Sequence, residues 1–218
     1  MEYDNIKSKA ELSHKECRRD SYKLLSECYY LPDKRLIEIL SGLDTKKGQI
    51  FFDLAKHCPR ISDIDTLTVD YSKLFVGPYE LLAPPYGSVY LEDKSRVMGD
   101  STVDVGKRYA EEGLNIGLKE VPDCIAIELE FMYFLIFKEA EAIRISDSGT
   151  AASYLKKQKA FLEAHLGIWV SEFAYNVEAN AQTTFYKNLA RITKSFIRKE
   201  IENLSINSIS TKNRRRRN

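Results

Sequence analysis

The chain has 218 residues, 44% hydrophobic and 30% charged, with ten glycines and six prolines. That composition supports one sizeable core, in a single domain or two lobes sharing it, and excludes a disordered polypeptide. The 33 basic and 32 acidic side chains nearly cancel, but five basic ones, Lys212 and Arg214–Arg217, lie in the acid-free stretch 205–218; the other 28 face 32 acids, a body of about −4 that disfavours nucleic acid and tolerates a basic peptide.

Ser8 to Tyr30 lacks glycine and proline and spaces Leu12, Tyr22, Leu25, Cys28 and Tyr29 as a helix does. Leu31-Pro32-Asp33 ends it and starts a short helix closed at Gly42. A third apolar patch, Ile50-Phe51-Phe52 with Leu54, stops at Pro59, and a fourth runs from Asp63 to Phe75. Helix resumes with Ser101-Thr102 as cap and runs to Gly113. Pro122-Asp123 starts the strongest helix, 122–146, apolar on every face from Ile125 to Phe137 except at Glu128 and Glu130. An internal Arg or Lys is expected to pair with one of these two. Two helices follow Gly149 and Gly167, and a last one runs from Thr183, with the domain ending near Leu204 and 205–218 read as a basic, disordered tail. The fold expected is all-α, with about nine or ten helices and no strand.

Between these helices, 76–102 reads as one long, ordered Pro/Tyr-rich loop. It holds Pro78, Pro84, Pro85, Gly77, Gly87 and Gly99, yet also Tyr79, Leu81, Leu82, Tyr86, Val89 and Tyr90, and disordered segments are poor in aromatics. Pro84-Pro85-Tyr86 is a stiff, extended segment, and aromatic rings beside it form a low-entropy platform for a peptide. The same composition suits a structural corner plugged into the core by its own tyrosines, and composition leaves both readings open. Asp123 likewise suits either a helix dipole or an acidic anchor for a basic ligand.

Chemistry is sparse elsewhere. Cys17, Cys28, Cys58 and Cys124 form no CxxC pair and read as thiols of a reducing compartment. His14, His57 and His165 lie near no glycine-framed Ser or Cys, no Gly-rich phosphate cradle occurs, and Glu111-Glu112, Glu139 and Glu141 read as solvated helix faces. No enzyme, metal or cofactor is expected. Met1–Lys9 is polar, and the longest apolar run, Phe131–Phe137, falls short of the ~20 residues a span needs, so a cytoplasmic protein without membrane insertion is expected.

Four stretches, Leu74–Tyr90, Gly99–Leu114, Glu120–Met132 and Phe161–Ile197, resemble the TorD/DmsD family of molybdoenzyme maturation chaperones, over roughly 20–204 and in consistent order. The resemblance implies an all-α chaperone that binds the N-terminal twin-arginine leader of a molybdopterin oxidoreductase catalytic subunit and holds it until cofactor insertion, before Tat export. It implies a peptide site comprising Tyr71, Leu74, Phe75, Gly77, Pro78, Tyr79, Pro84, Pro85, Tyr86, Ser88, Tyr90, Gly99, Glu120, Asp123 and Cys124. The arginines are expected at an acidic rim near Glu120 and Asp123, and the apolar part of the leader on Leu74, Phe75 and Tyr86. Cys124 stands where the family usually has histidine, and Tyr86 and Tyr90 where several relatives carry Trp. A nucleotide-dependent assembly factor, a NarJ-like adaptor for a non-exported enzyme, and a homodimer are the alternatives the resemblance leaves.

Overall fold

The computed structural model describes the backbone of residues 2–57, 64–77, 81–92, 98–117 and 120–215, and within these the side chains of 10–56 and 64–204. Ten α-helices and one π turn account for the regular structure among the described residues. They are α1 (Glu2–Cys28), α2 (Lys34–Ser41), α3 (Gln49–His57), α4 (Ile64–Tyr71), the π turn Ser72–Val76, α5 (Gly87–Leu91), α6 (Asp100–Glu111), α7 (Ile125–Arg144), α8 (Ser148–Ala164), α9 (Leu166–Asn180) and α10 (Thr184–Arg215).

Helix ends follow local chemistry. Asp33 caps α2 by accepting the Leu36 N–H at 3.0 Å, and the Gly42 N–H closes it on the Glu38 carbonyl. Asp147 caps α8 through the Thr150 N–H at 3.0 Å, so that helix starts before Gly149. The α8–α9 break falls at His165, two residues ahead of Gly167, and the His165 Nε2 lies 2.6 Å from Asp104 Oδ2 on α6. Asp70, buried in α4, accepts the N–H groups of Gln182 and Thr183 (2.7–3.1 Å) and the Thr183 hydroxyl (2.6 Å), fixing the start of α10.

Helix α7 is the hub, packed along α1 and α8, with α10 along α9. The centre is aromatic: Tyr22, Phe161, Trp169, Phe173 and Tyr186 are fully buried beside Leu25, Leu129, Met132 and Leu135. Each such side chain contributes roughly 1.5–3 kcal/mol by leaving water. Two buried polar groups depart from the sequence reading. Glu139 is no solvated face; it is buried, accepting from Gln158 Nε2 (2.8 Å) and paired with Lys15. Glu112 is likewise covered, by Lys157 and Tyr154. A bidentate pair, Arg18 with Glu200 at 2.6–3.0 Å, ties α1 to α10. The α10 backbone continues past Leu204 to Arg215, where the sequence suggested a disordered tail; 216–218 lie outside the described residues.

Candidate functional site

The proline segment and the entry to α7 are stitched together. The Ile125 N–H donates to the Pro85 carbonyl and the Gly87 N–H to the Asp123 carbonyl, each at 2.8 Å, forming an isolated antiparallel bridge between Tyr86 and Cys124. Proline has no N–H, but its carbonyl still accepts, so the stiff strip can serve as one side of a two-stranded contact. The Asp123 carboxylate then accepts the Ser88 N–H at 2.6 Å, anchoring α5. This moves the start of α7: Cys124 is its N-cap, extended at φ −66° and ψ 140°, and Pro122-Asp123 precede the helix they were expected to open. Asp123 is fully buried, so it offers no surface for a basic ligand.

The expected loop 76–102 is two connections around α5. The run from Gly87 to Leu91 contains no proline, and Asp123 supplies its N-terminal acceptor. Gly87 sits in a crowded spot: a Cβ there would lie 3.0 Å from Trp169 Nε1 and 3.1 Å from Glu128 Oε1, so a side chain would have to push one of them aside by a few tenths of an ångström. At the second connection Glu92 performs the capping assigned to Ser101-Thr102: its carboxylate accepts the N–H groups of Asp100 (3.0 Å) and Ser101 (2.8 Å), with Gly99 as N-cap.

Leu74 and Phe75 belong to the interior, at 0% and 4% exposure. Phe75 meets Tyr71, Phe173 and Tyr186 with ring centroids 5.1–6.0 Å apart, so both residues brace the segment and present no face to a peptide. Gly77 ends the π turn at φ 52°, in the region glycine favours, and its N–H bonds the Ser72 carbonyl at 2.7 Å. The exposed apolar groups nearby are Leu82, one of the loop's apolar residues in the sequence reading, and Val69 and Val76, which that reading did not single out. No periodic signal marks them, because they are the outward remainder of a pattern read for its inward face. Pro78 and Tyr79 lie outside the described residues. Pro85 and Ser88 are buried, Pro84 is half-buried, and Glu120 is exposed.

Three half-buried phenols gather beside this junction. Tyr71, Tyr86 and Cys124 influence one another, as do Tyr30 and Glu120. Burial pushes Tyr71 up to about 12, with Cys124, Tyr86 and Glu120 adding to it, and burial raises Tyr30 and Tyr86 likewise. All three are therefore hydroxyl donors at neutral pH. Burial also takes the Cys124 thiol to about 12, so it is no thiolate nucleophile. Tyr30 donates to Glu130 at 3.5 Å, and Lys23 donates to the same carboxylate at 2.8 Å and pairs with Glu27 at 3.1 Å. A depression of about 300 Å³ adjoins Tyr30, lined by Lys23, Glu27, Leu31, Asp33, Arg35 and Leu36. Tyr30 and Glu130 thus enlarge the site beyond the residues expected.

Tyr90 faces the other way. It stacks on Trp169 at 5.5 Å and 16°, and its hydroxyl accepts from Asn176 at 3.5 Å. Of the two carboxylates interrupting α7, Glu130 pairs with Lys23 in a partly exposed contact, and the buried one, Glu128, meets the Trp169 indole N–H at 3.0 Å in place of the internal Arg or Lys expected. Burial holds the Glu128 carboxyl well above the usual range, helped by nearby Asp123. Among the described residues no cluster of three or more His, Cys, Asp or Glu is placed to hold a metal, and no helix is long and apolar enough to cross a membrane.

Comparison with known proteins decides the family. The model of the nitrate reductase delta subunit family matches residues 41–175. The chain belongs to that family. The perchlorate reductase assembly chaperone protein of Dechloromonas aromatica is 29% identical over 142 residues, 62% of each chain, so the match spans about three-fifths of that relative. A Haemophilus influenzae protein described as the Tat proofreading chaperone DmsD is 25% identical over 82% of this chain and 87% of its own. Among solved structures, one described as a redox enzyme maturation protein from Archaeoglobus fulgidus superposes with a TM-score of 0.55 at 25% identity, covering 83% of this chain and 93% of that one. The TorD/DmsD resemblance and the all-α fold both hold, and the relatives are named for assembly and proofreading, not for catalysis.

Proposed function

We propose that the chain is a cytoplasmic maturation chaperone for a molybdopterin oxidoreductase. It binds the twin-arginine leader of the catalytic subunit on the surface formed by Tyr30, Tyr71, Tyr86, Glu120 and Glu130, and holds it until the cofactor is inserted. One observation carries the reading: the Tyr86–Cys124 bridge, which fixes the proline segment against the α7 entry and leaves half-buried phenols beside exposed carboxylates. Neutral phenols donate hydrogen bonds to peptide carbonyls, carboxylates pair with guanidinium groups, and Val76 and Leu82 offer apolar area for the segment that follows the arginines. The rigid frame lowers the ordering cost of binding.

Calorimetry with a twin-arginine leader peptide tests it. Tyr86→Ala with Glu120→Gln should weaken binding by about tenfold or more, and raised salt should weaken it in part, since apolar burial is not screened. Undiminished affinity in that double variant would sink the assignment. A second reading, an adaptor acting on the body of a non-exported reductase, is favoured by the family's own description as a nitrate reductase delta subunit. Capture of a leaderless catalytic subunit as efficient as that of the full subunit would select it.

A further inference from the structure

The basic run Lys212–Arg217 has no part in the site described, and the α10 backbone carries its described portion, to Arg215, away from that site. Helices α1 and α10 run antiparallel: the Tyr29 hydroxyl donates to Thr193 Oγ1 at 3.1 Å, Arg18 meets Glu200, and His14 lines one groove with Asn203. Each step along α10 therefore moves toward the beginning of α1 and away from Tyr30. From Thr193, level with Tyr29, to Arg214 an intact helix rises about 32 Å. A chain with this helix formed holds its own Arg214 and Arg215 far from its own tyrosine surface. A second copy can bring its run there.

We propose that the basic run of one copy docks on the tyrosine and carboxylate surface of another, head to tail, in competition with the leader. The proposal shares the leader-binding surface and so rests on that reading for its regulatory meaning, though not for the contact itself. Charge complementarity argues for this occupant. The run carries five basic side chains and no acid, whereas the surface sets Glu27, Asp33, Glu120 and Glu130 against Lys23 and Arg35. The surface also already accommodates a cation: Lys23 Nζ sits 5.8 Å from the Tyr133 ring centre while bonded to Glu27 and Glu130. Guanidinium groups suit such a place better than ammonium, since they stack on rings and fork onto carboxylates. A contact between two different faces does not close on itself in a pair, so it builds open chains or rings as concentration rises. Leader binding would then dissolve a storage form into chaperone–client complexes.

Sedimentation velocity across a concentration series tests this with the full chain and two variants. One carries Ser at Arg214, Arg215, Arg216 and Arg217; the other carries Glu120→Gln and Glu130→Gln. The unmodified chain should associate, about tenfold or more weakly when salt rises from about 50 to about 500 mM. Each variant alone should stay monomeric, and mixing them should give a one-to-one pair, because the mixture retains one intact run and one intact surface. A synthetic peptide of residues 211–218 should dissociate the unmodified assembly without any substitution. An unmodified chain that stays monomeric, a peptide without effect, or a mixture that stays monomeric overturns the proposal. If the chain associates as described but no leader peptide binds, the docking stands and the chaperone reading fails; if leader binds a strictly monomeric chain, the docking alone fails.

Discussion

Replacing Glu128 by Gln should flatten the pH dependence of stability. The carboxyl is fully buried, bonded to the Trp169 indole N–H, and held by burial well above its usual value of 4.5, so the folded chain keeps a proton there that the unfolded chain releases. Where the folded state binds more protons, stability falls as pH rises. The loss begins above 4.5 and proceeds at about 1.4 kcal/mol per pH unit, ending where the folded carboxyl finally ionises. Glutamine keeps an acceptor for the indole and has no proton to lose.

His165 complicates a measurement on one chain alone. Burial lowers it from 6.5, against the pull of Asp104, so its effect on stability has the opposite sign: stability rises as pH climbs through the unfolded value. Both chains carry that term, and it cancels in their difference. Urea unfolding from about pH 5 to about pH 8, followed by the fluorescence of the chain's one tryptophan, gives that difference directly. The variant should gain on the unmodified chain as pH rises above the ordinary carboxyl value, because only the unmodified chain holds a proton that unfolding releases. A gap that stays constant with pH would refute the claim that Glu128 is neutral in the folded protein.

Two further expectations follow from the packing. Leu74→Ala should cost about 2–5 kcal/mol in chemical denaturation, while leader affinity of the folded fraction falls less than in Tyr86→Ala, because Leu74 is a core residue. Cys124, with its thiol at about 12 against an ordinary 9.0, should react with iodoacetamide near pH 8 about a thousandfold more slowly in the folded chain than in urea, accelerating as pH rises, as read by peptide mapping.

Much of the fold is written in periodicity and punctuation. Asp33 and Gly42 bound α2 as read, and the all-round apolar stretch of α7 marks the hub helix. The misplacements share a cause: capping groups that lie far away in sequence or outside the expected motif. Glu92 caps α6, Asp123 anchors α5 ahead of its own helix, and Asp70 fixes α10 from 112 residues away. A local reading assigns an acid to its nearest helix start, and none of these acids serves it. Leu74 and Phe75 illustrate a second limit. Large apolar groups beside a proline loop fit a docking face and a core brace equally, and only packing against Phe173 and Tyr186 separates the two. Tyr30 was visible merely as the last residue of a helical run; its place beside Glu130, near Glu120 and Cys124, depends on how α1 lies against α7.

The buried acids and the half-buried phenols belong to one arrangement. Asp123 offers no charge to a ligand, yet its carbonyl and carboxylate hold Gly87 and Ser88, and through them the strip that carries Tyr86. Substituting Asp123 would loosen the frame, so a loss of peptide binding in such a variant cannot distinguish a contact from a support. Tyr86, Glu120 and Glu130 are exposed enough to be changed without emptying the core, and the frame behind them is redundant: a bridge, a carboxylate anchor and the Phe75 aromatic cluster all fix it. Redundancy of this kind holds the strip in place even when one of its outward side chains is substituted.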